Sequence, residues 1–125
     1  MSLLFACASA AALATCAIHL AAGGKYVARP LLECRGLRPV PKFTSYYCWH
    51  IVTWMLASMA GFYGAAAALP AQWPLALAAT ILAAGCLVWN VALIGWQRLR
   101  PAHFPQWALF SAITAFGILG LWQSR

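Results

Sequence analysis

Along the chain, long apolar runs almost free of charge alternate with short stretches holding the basic residues. The runs cover about residues 3–22, 47–69, 75–96 and 107–122. The first three reach the roughly 20 residues that a helix needs to cross about 30 Å of hydrocarbon. The fourth is shorter but bracketed by Trp107 and Trp122, while Trp49, Trp73 and Trp96 lie near the ends of the other runs. Tryptophans so placed match the aromatic belts found at both membrane interfaces. The pattern therefore predicts an all-α membrane protein, a four-transmembrane-helix antiparallel bundle forming a single domain over residues 1–125. The first run has no basic segment ahead of it, so it reads as a retained span and not as a cleaved signal peptide.

Small residues recur at helical spacing within the runs: Ala8, Ala12 and Cys16; Ala57, Gly61, Gly64 and Ala68; Gly117 and Gly120. Lipid tails offer helices no hydrophobic drive to associate, so backbones must approach closely to gain van der Waals contact. Such stripes fit a tight bundle and carry no chemistry. Between the first two runs lies a loop, residues 23–46, that Pro30, Pro39 and Pro41 prevent from being one continuous helix, with a short interfacial segment around 26–32.

Composition strengthens this picture. The chain has 125 residues, 65% hydrophobic and 7% charged, with a mean hydropathy of +0.80, too apolar for an ordinary solvated surface. Glu33 is the single acid. The net charge of +7 is better explained by membrane topology than by nucleic acid, because the bases sit between apolar runs. Lys25, Arg29, Arg35, Arg38, Lys42, Arg98 and Arg100 would share one side, leaving Arg125 on the other. The positive-inside rule then puts both long connections in the cytoplasm and both termini outside, as expected for a multi-pass protein of a bacterial inner (plasma) membrane. The loop bases are read as topology anchors or as a patch for anionic headgroups. The five cysteines contain no C-x-x-C pair and read as small core residues without a disulfide framework.

The chemistry-bearing residues are few. His19 and His50 each lie about one helical turn inside a span at the basic end, so in an antiparallel pair they come to nearly equal depth. Ionisable groups within spans are costly and usually face the bundle interior. Three readings compete: neutral imidazoles fastening helices through neighbours such as Thr15, Thr53 or Tyr46; a metal or haem site on the two imidazoles; and a quinone or headgroup pocket with Tyr46 or Tyr47 and Arg29. Asn90, within the third span, is expected to hydrogen-bond across to another helix. His103 falls in a turn between Pro101 and Pro105. No span holds an Asp or Glu for proton-coupled export, and no phosphate loop, zinc-protease motif or serine triad is visible, so an enzyme is disfavoured.

The stretches from His19 through Gly23 to Arg29-Pro30-Leu31-Leu32, the Trp49-His50 pair and Phe104-Pro105-Gln106-Trp107 cover about a third of the chain. In them the chain resembles a group of small bacterial four-helix integral membrane proteins of unassigned function. The resemblance implies the same topology and draws attention to His19 and His50. Where it leads one to expect an acidic residue, this chain has Gly24 and Lys25, which counts against a carboxylate-assisted role. The leading expectation is an accessory or assembly subunit, with the lipid bilayer and other membrane subunits or further copies of itself as partners. The alternative is a redox-linked protein holding haem, metal or quinone through His19 and His50.

Overall fold

The computed structural model describes residues 2–124; Met1 and Arg125, the base expected on the outer side, lie outside the described residues. The fold is all-helical. Helix α1 spans Leu3–Ile18 and continues through a π-helical stretch, His19–Ala28, into α2, Arg29–Glu33. Helix α3 spans Pro39–Ala68, α4 Trp73–Gln97 and α5 Gln106–Gln123, with single 3-10 turns at Pro70–Gln72 and Pro101–His103. The four long helices form a ring in which α1 packs on α3 and α5, and α4 closes the circle against the same two. Among the described residues, three stretches are long and apolar enough to cross a membrane: Leu3–Glu33, Pro39–Ala68 and Pro70–Gln97.

Polar contacts fix the antiparallel register of α1 and α3. Ser2 donates its backbone N–H to the Ala67 carbonyl at 3.0 Å, the Ser9 hydroxyl donates to Ala60 at 2.8 Å, and the Cys16 thiol approaches the Thr53 carbonyl at 3.8 Å. Position rises on one helix as it falls on the other, which brings the N-terminal end of α1 to the C-terminal end of α3. At that same end the α5 backbone lies against α1, because a Cβ placed on Gly120 would stand 2.5 Å from the Phe5 ring. One level deeper, a Cβ on Gly117 would overlap the hydroxyls of both Tyr63 and Thr80, which bond each other at 2.9 Å.

The interior is built from small side chains. Ala8, Ala12, Ala60, Ala66, Ala67, Ala76, Ala79 and Ala83 are buried around Phe5, Leu56, Met59, Tyr63 and Ile113. Large apolar groups face outward instead, among them Trp54, Ile81, Val88, Trp89 and Trp122. A water-soluble bundle arranges these sizes the other way, since removing large apolar side chains from water drives its folding. Here close backbone approach drives packing, as between helices in lipid. The five cysteines are free thiols.

The structure corrects the loop expected over residues 23–46. Only Cys34–Arg38 is non-helical there, and both flanking helices run further than the apolar pattern indicated. Pro39 and Pro41 occupy the first turn of α3, where backbone N–H groups have no intrahelical acceptor to lose. Pro30 is accommodated differently. Within an α-helix its ring would strike the carbonyl four residues back. The preceding π turns widen the helix, so that the Arg29 N–H reaches Gly24 and Pro30 falls in the first turn of α2.

Candidate functional site

His19 and Trp49 form the centre of a small polar and aromatic cluster at the basic end of the α1–α3 pair. His19 opens the π-helical stretch, a local distortion often found at functional positions. Its ring stacks on the Trp49 indole at 4.6 Å between centroids, and its Nε2 lies 3.1 Å from the Trp49 carbonyl. A carbonyl only accepts, so Nε2 carries the proton. The same carbonyl also accepts from the Thr53 hydroxyl at 3.4 Å. Gly23 sits over the pair: a Cβ there would be 3.6 Å from the Trp49 Nε1 and 3.7 Å from the His19 Nδ1, ordinary contact distances. The Trp49 N–H is buried with no acceptor among the described residues.

His50 joins the cluster from the other side of Trp49. Its imidazole meets the indole edge-on at 4.9 Å and the Tyr46 ring edge-on at 4.7 Å, while Tyr46 lies nearly parallel to Trp49 at 6.2 Å. His50 is exposed, whereas His19 is half-buried. The equal depth expected for the two histidines thus appears as a shared neighbour. Among the described residues no ring contact or hydrogen bond joins the imidazoles directly, and both instead touch Trp49. Axial ligation of one iron would require both rings to aim a free nitrogen at a common point, but His19 commits Nε2 to a backbone carbonyl and turns Nδ1 toward Gly23. Among the described residues no three of His, Cys, Asp or Glu gather as a metal site would require.

The other candidates are dispersed. Tyr47 is exposed on α3. The exposed Arg29 pairs with Glu33 one turn on, at 3.1 Å. Asn90, expected to bond across helices, instead donates from Nδ2 to the Cys86 carbonyl of its own helix at 3.2 Å, leaving Oδ1 buried without a partner among the described residues. Thr15 likewise bonds back to Ala11 and not to a histidine. His103 is exposed in its 3-10 turn. The sequence marks Trp49 as a belt residue and as half of the Trp49-His50 pair, and its place beside His50 and opposite His19 is the signal for its central role.

The cluster fastens α1 to α3. Replacing His19 with alanine removes one hydrogen bond and one stacked ring and is expected to cost about 1–2 kcal/mol. His50→Ala removes edge-on contacts from an exposed ring that makes no hydrogen bond to the α1 helix, and is expected to cost less, about 0.5 kcal/mol. Thermal unfolding in mild detergent measures both, and equal losses would contradict the asymmetry.

Fold and cluster together define a small helical-bundle protein with helices able to cross a membrane. No family model, curated protein or solved structure matches the chain.

Proposed function

We propose that this protein crosses a bacterial inner membrane four times, with both termini outside, and acts as an accessory or assembly subunit of a larger membrane complex. Its role is to pack against and position other membrane segments. The observation that carries the reading is the inverted packing: alanine inside, with Trp54, Ile81, Val88 and Trp89 offered to lipid or to neighbouring helices. Helix α5, with 18 residues, is about 27 Å long, close to the hydrocarbon thickness, and Trp107 and Trp122 mark its ends. Seven of the eight bases fall at the end carrying Cys34–Arg38 and the α4–α5 connection, which the positive-inside rule assigns to the cytoplasm.

The redox reading through His19 and His50 gains no support from the geometry, because both rings are engaged with Trp49. Extraction in mild detergent tests the choice. The chain is expected in a discrete assembly larger than its own 13.5 kDa plus detergent, with no Soret band. A chain migrating alone, or a chromophore or metal lost in both His19→Ala and His50→Ala, would overturn the proposal.

A further inference from the structure

Two helices stand taller than the membrane they cross. Leu3–Glu33 and Pro39–Ala68 contain 31 and 30 residues and are each about 45 Å long, against about 30 Å of hydrocarbon. Contacts of Ser2 with Ala67 and of Gly120 with Phe5 align the opposite end of the bundle, where Trp73 and Trp122 mark the interface. Counting about 20 residues inward from there places the near hydrocarbon boundary at about Ala22 and Trp49, one turn beyond His19. Residues 23–48 therefore form a helical hairpin rising about 15 Å above the hydrocarbon, while the headgroup zone accounts for only about 5–8 Å of that height. Its tip stands in water.

That tip is apolar on one face. Val40, Phe43 and Tyr47 follow one another on the outer side of α3 at 77%, 59% and 66% exposure, and with Pro39 and Thr44 they line a shallow, nearly flat groove. Contiguous apolar surface that runs from the headgroup zone at Tyr47 out past it to Phe43 and Val40, rimmed by charge, marks an interaction site. The rim is basic. Arg35 and Arg38 lie in the turn immediately before the groove, whereas Glu33, the single acid, is engaged by Arg29, and Lys42 donates to the Leu32 carbonyl at 2.8 Å. A second copy would bring another +7 chain with the same basic rim, and like charges at an interface are costly.

We infer that the Val40–Phe43–Tyr47 face of this hairpin is the docking surface for an acidic segment of a partner protein, whose apolar side chains fill the groove while its carboxylates meet Arg35 and Arg38. The inference rests on the accessory-subunit reading and names the chemistry of the partner. Anionic lipid reaches the lower edge of this face, where Tyr47 lies about 3 Å above the boundary, but Phe43 and Val40, about 9 and 13 Å above it, stand beyond the lipid phosphates, which favours a protein occupant.

Hydroxyl-radical footprinting of the wild-type chain tests this without any substitution. Oxidation of Phe43 and Tyr47 is compared in native membranes, in purified protein in phosphatidylcholine nanodiscs, and in nanodiscs containing phosphatidylglycerol. Phe43, beyond the headgroups, is expected to oxidise several-fold less in native membranes than in either nanodisc, while Tyr47, within the headgroup zone, serves as the internal reference. Raised salt, which screens the rim charges, is expected to abolish the difference, and so is the double substitution Arg35→Glu and Arg38→Glu. Equal oxidation of Phe43 in native membranes and phosphatidylcholine would overturn the inference, as would protection that survives salt. Protection reproduced by phosphatidylglycerol alone would assign the face to lipid. If detergent extraction yields a large assembly while Phe43 is unprotected, the docking surface is wrong and the accessory reading stands. A chain extracted alone removes both.

Discussion

Gly117→Ala is expected to destabilise the protein by about 2–3 kcal/mol, although alanine is the better helix former by about 1 kcal/mol. The added methyl would enter space held by the Tyr63 and Thr80 hydroxyls, which are hydrogen-bonded at 2.9 Å. Thr80 is further held by the Ala76 carbonyl at 2.7 Å, and Tyr63 is fully buried, so neither group has room to yield. Forcing them apart leaves the phenol unpaired in a dry interior, which costs about 1–3 kcal/mol. Gly120→Ala meets the buried Phe5 ring and is expected to follow the same direction. Gly85, on the outer face of α4, has nothing among the described residues within 4 Å of its Cβ position, and Gly85→Ala is expected to gain about 0.5–1 kcal/mol. Unfolding in mixed detergent micelles measures the series. Equal stability for Gly117→Ala and Gly85→Ala would show that α5 does not seat against α3 and α4 as described.

Ile81→Asp is expected to impair membrane insertion by about 3 kcal/mol. Ile81 projects from α4 with 63% of its surface exposed, eight residues beyond Trp73, which places it about 12 Å into the hydrocarbon. A carboxylate there has only lipid around it. On a water-soluble bundle the same exchange of an exposed isoleucine for aspartate would change stability by about 0.5 kcal/mol or less. Thr44→Asp, on the part of α3 that rises above the hydrocarbon, serves as the control and is expected to insert like wild type. Membrane fractionation after alkaline washing reads the difference. Wild-type retention of Ile81→Asp would contradict a lipid-facing α4.

The apolar runs, the near-equal depth of His19 and His50, and the packing role of Gly117 and Gly120 were legible in the sequence because each follows from helical periodicity. The length of the first two helices was not. Pro30, Pro39 and Pro41 signal a break when read one residue at a time, yet Pro39 and Pro41 fall in a first turn and Pro30 follows a π-helical stretch that hydropathy does not reveal. The cluster was half visible. Side-chain type identified the imidazoles, but whether they meet depends on Trp49, whose ring lies against both. Asn90 departs from the expected cross-helix bond because an amide can satisfy its donor on its own helix one turn back, a choice that spacing alone does not reveal.

Four crossings with both termini outside is the central proposal, and reporter fusions at the C-terminus test it most directly. Alkaline phosphatase, active only outside the cytoplasm, is expected to be active when joined there, while a fluorescent protein that matures only in the cytoplasm is expected to stay dark. Insertion of the same reporters into the turn Cys34–Arg38 is expected to give the opposite pattern. A fluorescent C-terminal fusion with inactive phosphatase would contradict the proposal, leaving α5 uncrossed and the C-terminus on the same side as the basic hairpin.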